Sequence, residues 1–184
     1  DFYPYLPGQY ALVSIRNSDE TLRAYTLSST PSLSPFIQLT VRCLADGDGS
    51  GWLTQQVNVG DYLWLSDAQG DFTCADADDD HYLMLAAGCG VTPVMSMCRD
   101  LLARRAQADI RVIFNVRSPA DVIFADSWQT LLQRYPQQLQ LTLMAESEAT
   151  DGFVAGRINA QIMQQVAPDI ARRRVMTCGP APYM

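Results

Sequence analysis

Three short stretches of this 184-residue chain combine residue types suited to one kind of ligand. The first is Arg23-Ala24-Tyr25-Thr26, followed downstream by Gly49-Ser50-Gly51-Trp52. In an extended segment alternate side chains share a face, so Arg23 and Tyr25 offer a cation and a flat aromatic to the same side, while Thr26 points the other way or sits at a bend. A guanidinium bridges two phosphate oxygens, and backbone N–H groups at a glycine-led helix start receive more. The pair is complementary to a pyrophosphate, although an ordinary exposed arginine beside a half-buried tyrosine gives the same tetrapeptide. The second stretch is Leu85-Ala86-Ala87-Gly88-Cys89-Gly90-Val91-Thr92-Pro93, where an apolar run meets a glycine turn and then a helical pattern. Glycines let the backbone approach a ligand closely, and a helix N-terminus attracts anionic oxygens. Gly-x-Gly-x-x-Pro is not the Gly-x-Gly-x-x-Gly fingerprint, and taken alone it reads equally as a tight strand-to-helix turn. The third is Cys178-Gly179-Pro180 after the last apolar run, which taken alone is a buried cysteine before a turn.

These stretches need elements to hold them. Residues 10–15, 23–29, 36–43 and 61–65 are short runs rich in β-branched and aromatic residues, separated by Gly, Pro, Ser and Asp. They suggest an antiparallel barrel or sandwich, with one short helix starting at Trp52 behind the glycine turn. The run Asp76-Ala77-Asp78-Asp79-Asp80 reads as a solvated linker, with His81 a turn residue after it. Beyond it, residues 82–87, 111–116, 140–145 and 174–178 are apolar on both faces or nearly so, as parallel strands buried between helix layers are. Val94, Met97, Cys98 and Leu101 recur at helical spacing, with Thr92 as the expected cap and Pro93 at the first helical position. Further helices are expected over 121–134 and 157–166. The second half is therefore an open α/β sheet, whose ligands lie outside the carboxyl ends of its strands and beside the turns at Gly88 and Cys178.

Composition removes several function classes. Thirteen Lys and Arg against twenty Asp and Glu leave a net charge of −7, so no basic stripe is available for nucleic acid. No apolar stretch approaches the roughly 20 residues that cross a bilayer. Five widely spaced cysteines with no Cys-x-x-Cys pair, and one histidine, disfavour a disulfide scaffold, a zinc site or an internal iron–sulfur cluster, so no metal ligands are assigned. Without a leader-like opening the expected compartment is the cytoplasm, and a chain opening on Asp1 reads as a piece of something longer.

In order and spacing the three stretches together resemble the ferredoxin-reductase-like flavoprotein family over nearly the whole chain. The resemblance implies an antiparallel FAD-binding β-barrel domain over residues 1–75, truncated at its start, and a parallel-sheet α/β NAD-binding domain over 76–184, truncated at its end. It implies that Arg23 holds the FAD pyrophosphate, that Tyr25 packs on the flavin and that Thr26 hydrogen-bonds near flavin N5. Ala24, Thr40, Val41, Gly49, Ser50, Gly51 and Trp52 complete the FAD site. Gly88, Gly90, Thr92 and Pro93 would bind the nicotinamide dinucleotide, with Gly179 and Pro180 at the last turn and Cys178 near the nicotinamide carbon that gives up hydride. The catalytic pair implied is Thr26 and Cys178.

Within the family, the runs from Gly8, Thr21, Ala87 and Met176 most resemble reductases that carry FAD and a C-terminal plant-type 2Fe-2S domain and serve the hybrid-cluster protein. That implies hydride transfer from NADH to FAD, then single electrons to an iron–sulfur acceptor, with the 2Fe-2S centre in a tethered domain outside this chain. A flavin reductase, an electron-transfer subunit for another partner and a non-catalytic nucleotide-binding regulator are the alternatives. Preference for NADH is expected from Glu146, whose carboxylate would repel a 2′-phosphate and accept from a ribose hydroxyl, although with Glu148 and Asp151 close by it reads equally as a solvated loop acid. Arg117 would favour a phosphate, hold the adenosine ribose or pair with Asp121.

Overall fold

The computed structural model describes residues 3–147 and 150–184, so Glu148 lies outside the described residues. In the first half β1 (Tyr10–Ser14) and β2 (Leu22–Thr26) pair antiparallel, with Tyr10 opposite Thr26 and Val13 opposite Arg23. The strands expected at 36–43 and 61–65 are extended chain joined to this hairpin by isolated bridges, Leu27 to Leu39 and Val13 to Leu65, with a further bridge from Tyr10 to Gln69. Hydroxyl side chains account for the broken ladders. Ser66 Oγ accepts the Leu12 N–H (2.9 Å), Ser29 Oγ the Gln38 N–H (2.9 Å) and Ser34 Oγ the Phe36 N–H (3.1 Å), each in place of a backbone carbonyl. The expected antiparallel β architecture is thus a two-stranded sheet bordered by bridged extended segments. The short helix α1 (Asp48–Gln55) starts earlier than expected and takes the glycines into its first turn. There Ser50 Oγ accepts the Leu44 N–H and donates to the Gly47 carbonyl, both at 3.1 Å, which closes the turn.

The second half runs β3 (His81–Ala87), α2 (Val91–Arg104), β4 (Asp109–Val116), α3 (Ala125–Arg134), β5 (Leu139–Ala145), β6 (Phe153–Ala155), α4 (Ala160–Val166) and β7 (Arg174–Cys178). Its five strands are parallel in the order β6-β5-β4-β3-β7. Tyr82, Met84, Val112 and Phe114 pack with α2 and with Trp128 of α3, whereas the alternating Leu83, Leu85, Ile113 and Met144 pack with Ile162, Met163 and Val166 of α4. Both faces are covered at the centre of the sheet, which is why β3 and β4 read as nearly continuous apolar runs.

Three expectations at element ends are corrected. Thr92 does not cap α2: the turn Gly88–Gly90 runs straight into the helix, Gly90 stands at the cap, and Thr92 Oγ1 donates back to the Cys89 carbonyl (2.9 Å). α3 starts at Ala125 rather than 121, because Ser118 and Asp121 close a separate capped turn and Phe124 is left-handed (φ 64°). The acidic run is not simply solvated. Asp79 pairs with Arg174 (2.6 Å) and Asp80 with Arg105 (3.5 Å), tying it to the amino-terminal edge of the sheet.

Helix α2 is also buried further round than one apolar face. Val94, Met97 and Leu101 are fully covered, each such burial being worth about 1.5–3 kcal/mol. Ser96 and Asp100 are buried too, because the chain following β2 lies over them. Ser96 Oγ donates to the Ser29 carbonyl (2.6 Å), Thr30 Oγ1 to the Ser96 carbonyl (3.3 Å) and Ser32 Oγ to Asp100 Oδ1 (2.9 Å). These contacts fasten the two halves together.

Candidate functional site

Four strand ends meet at the carboxyl edge of the parallel sheet. After β3, Gly88 adopts φ +51°, a left-handed conformation that favours glycine. A Cβ built on Gly90 would collide with the Cys178 carbonyl, and one on Gly179 would come within 3.1 Å of Ala87 Cβ. The turns after β3 and β7 therefore touch because Gly90 faces the backbone of Cys178 and Gly179, while Gly179 faces the Tyr183 ring and the Ala87 methyl. The register continues this arrangement, with Ala86 opposite Cys178 and Ala87 opposite Asn115.

These turns line a cleft of about 640 Å³ together with Pro93, with Asn115 and Arg117 of β4 and its exit, with Glu146 after β5, and with Thr26, Arg42 and Leu44 of the first half. Thr26 and Cys178, expected from sequence to face the reacting rings, are thereby brought to one cavity along with Gly88, Gly90, Gly179 and Pro180. Burial pushes the Cys178 thiol pKa up, so at neutral pH it presents an uncharged S–H to the cleft.

The other expected residues fall into neighbouring depressions. Gly51 and Trp52 border a hollow of about 400 Å³ that shares Leu44 with the main cleft. Thr40 and Val41 border a smaller one of about 260 Å³ that shares Arg42, Cys89 and Asp121 with it. Arg23 and Gly49 stand side by side, since a Cβ on Gly49 would lie 3.3 Å from Arg23 Cγ. The Arg23 guanidinium is exposed and donates to the Leu22 carbonyl (2.9 Å). Ala24 is exposed and Tyr25 half-buried, with burial raising the Tyr25 phenol against a smaller opposing effect from Arg23. The hydroxyls of Ser50 and Thr92 are committed to backbone groups of their own turns, so what these residues offer a ligand is their N–H.

Charges around the cleft are paired in ways no local pattern revealed. Arg42 of the first half reaches Asp121 of the second (2.6 Å), and Asp121 also accepts from the Ser118 hydroxyl (3.0 Å) and N–H (3.2 Å). Together, led by the Ser118 hydroxyl, these contacts hold the Asp121 carboxyl below the usual range. The expected alternative pairing of Arg117 with Asp121 is not made. Glu146 is bonded to Arg157 (3.0 Å), so its carboxylate faces the cleft already partnered. Sequence reading missed Arg42 and Asn115 and offered Asp121 a different partner. The usable signal for Asn115 was a polar residue ending an otherwise apolar strand; Arg42 and Asp121 meet across 79 residues and left none.

Two family models divide the chain between them: the oxidoreductase FAD-binding domain matches residues 3–74 and the oxidoreductase NAD-binding domain residues 84–184. The chain belongs to the FAD- and NAD-binding oxidoreductases. Within this family it is 62% identical over its full length to the NADH oxidoreductase HCR of Escherichia coli, covering 54% of that protein. It is 34% identical to the glycine betaine monooxygenase reductase subunit of Chromohalobacter salexigens, over 97% of this chain and 50% of the relative. The ferredoxin reductase component of 3-ketosteroid-9-alpha-monooxygenase from Mycolicibacterium smegmatis is 33% identical, over 98% of this chain and 49% of the relative. The chain thus spans about half the length of the curated relatives it matches. The crystal structure of the Amycolatopsis cytochrome P450 reductase GcoB shares the fold, with a TM-score of 0.84 at 22% identity, over 97% of this chain and 54% of that one.

The residues present fit both cofactors. Arg23 lies against the start of α1, where Gly51 leaves open space, and the Asp48 carboxylate of that helix start is neutralised by Arg16. The cleft at the sheet edge has the glycine turns and the helix start that a dinucleotide phosphate needs.

Proposed function

We propose that this oxidoreductase carries reducing equivalents from NADH through FAD to an iron–sulfur acceptor. The observation that supports this most directly is that Thr26, the Gly88–Gly90 turn and the Cys178–Pro180 turn line one cleft between the two halves. The division of labour follows residues 1–75 for FAD and 76–184 for NADH.

On this reading Arg23 and the N–H groups of Gly49, Ser50 and Gly51 neutralise the FAD pyrophosphate, and Tyr25, with Ala24 beside it, packs on the flavin. Thr40, Val41 and Trp52 close the walls of the flavin site. Gly88, Gly90, Thr92 and Pro93 present backbone to the dinucleotide phosphates, and Gly179 and Pro180 shape the pocket at the nicotinamide end. Bound flavin supplies conversion of a two-electron hydride donor into single-electron transfers. Thr26 offers a hydroxyl at the flavin edge. Cys178, uncharged and half-buried, fills the space at the ring junction and keeps water out without placing an anion there. Arg117 and Glu146 receive the adenosine end. Because Glu146 is partnered by Arg157, discrimination against a 2′-phosphate rests on the carboxylate accepting a ribose hydroxyl rather than on bare repulsion.

The acceptor is proposed to be a 2Fe-2S domain tethered beyond this chain, which serves the hybrid-cluster protein. The likeness to the Escherichia coli NADH oxidoreductase HCR and to ferredoxin reductase components supports an iron–sulfur partner. Among the described residues no three His, Cys, Asp or Glu side chains are grouped so as to hold a metal ion. A chain of net charge −7 meets another acidic carrier slowly, whereas tethering raises its effective concentration. Five free cysteines fit a reducing cytoplasm, and among the described residues no helix is long and apolar enough to cross a membrane. Equilibrium dialysis of Arg23→Ala tests the reading: FAD affinity should fall at least tenfold, and wild-type affinity would remove Arg23 from the site.

A further inference from the structure

Among the described residues, four buried side-chain polar atoms have no hydrogen-bond partner in the protein: Tyr82 Oη, Arg111 Nε, Asn115 Nδ2 and Trp128 Nε1. Of these residues only Asn115 lines the cleft. Leaving a buried amide N–H unmade is costly, and native structures rarely keep one without a use.

The setting of Asn115 is specific. It ends the central strand β4, with Ala87 of β3 on one side and Met144 of β5 on the other. The residue is 4% exposed. Tyr183 Oη donates to Asn115 Oδ1 at 3.2 Å, which fixes the amide so that oxygen and nitrogen have different tasks. Burial raises the Tyr183 phenol pKa to about 12, so it remains a donor throughout the working pH range. Nδ2 is therefore an oriented donor, on the strand between the glycine turn after β3 and Glu146 after β5.

We infer that Asn115 is a ligand-binding residue whose Nδ2 donates to an oxygen of the pyrophosphate as the dinucleotide crosses the sheet edge from Glu146 towards Cys178. This rests on the NADH reading above and adds a contact to it. A neutral amide suits that place: it gives a hydrogen bond without the counter-charge that would hold product after turnover, and Tyr183 sets its direction in advance.

The test is calorimetric titration of ADP-ribose into the FAD-loaded protein, which reads binding and not turnover. Asn115→Asp keeps the size of the side chain and the acceptor for Tyr183 but replaces the donor with an anion, and affinity for ADP-ribose should fall tenfold or more. Asn115→Ala should lose several-fold. FAD content and thermal midpoint provide the fold control for each. Folded, FAD-loaded variants that bind ADP-ribose within twofold of wild type would overturn the assignment of Asn115 while leaving the cleft as a dinucleotide site. A wild-type protein that binds FAD but no ADP-ribose would overturn the dinucleotide reading, and the inference with it.

Discussion

Ser96→Ala should loosen the join between the two halves and slow flavin reduction more than it lowers flavin content. Ser96 sits on the second turn of α2, whose first turn opens the cleft, and its hydroxyl donates to the Ser29 carbonyl at 2.6 Å with both residues buried. Ser29 follows the Arg23–Thr26 stretch by three residues, so this bond ties the flavin side to the nicotinamide side. Removing the donor strands a buried carbonyl at a cost of about 1–3 kcal/mol. One turn further on, Asp100 accepts from Ser32 (2.9 Å) and pairs with Arg104. Asp100→Ala should cost a similar amount, discounted because Arg104 keeps access to water, with its side chain 39% exposed. The two changes share one interface and should not add. Urea denaturation of the FAD-loaded protein reads the stability loss, and stopped-flow reduction by NADH reads the positioning. A misplacement of about 1 Å can cost on the order of 100-fold in rate, so a several-fold slowing per bound flavin is the modest expectation. If Ser96→Ala and Asp100→Ala both keep wild-type stability and reduction rate, these contacts do not set the approach of the halves.

Cys178→Ala should retain FAD and bind NADH yet slow hydride transfer in stopped flow, because the ring junction would gain room for water; an unchanged rate would reduce Cys178 to a packing role. The Arg42–Asp121 pair should make the join acid-sensitive. The Asp121 pKa is lowered in the folded protein, so its contribution is fully present above the unfolded value of about 3.9 and is lost as pH falls through the folded one. Asp121→Asn should therefore be less stable than wild type in urea at neutral pH, with the gap closing in strong acid; a gap independent of pH would show that the carboxylate charge contributes nothing.

What sequence could reveal here follows the range of the interactions involved. Strands β3 and β4 were legible because burial on both faces leaves a nearly apolar run that needs no knowledge of partners, and β5 and β7 because they keep enough apolar residues although β7 is an edge strand with Val175 exposed. The β-rich half was less so: Ser29 and Ser66 look like turn residues in sequence, yet their hydroxyls reach across to interrupt ladders. The three-residue strand β6 is too short to carry a pattern. The glycine turns at Gly88 and Cys178 were legible because a ligand or backbone that approaches closely demands small residues locally. Asn115 with Tyr183, Arg42 with Asp121, and Ser29 with Ser96 are pairs 67 to 79 residues apart, and each partner alone is an ordinary polar residue. Thr92 shows the converse error, since a threonine before a proline at a helix start looks like a cap until the preceding glycine turn is seen to continue into the helix.

Anaerobic titration of the FAD-loaded protein with NADH tests the central claim most directly. The account predicts that the visible flavin absorbance bleaches with one equivalent of NADH per flavin, and that NADPH at the same concentration bleaches it far more slowly. Flavin that stays oxidised while NADH is demonstrably bound would contradict it.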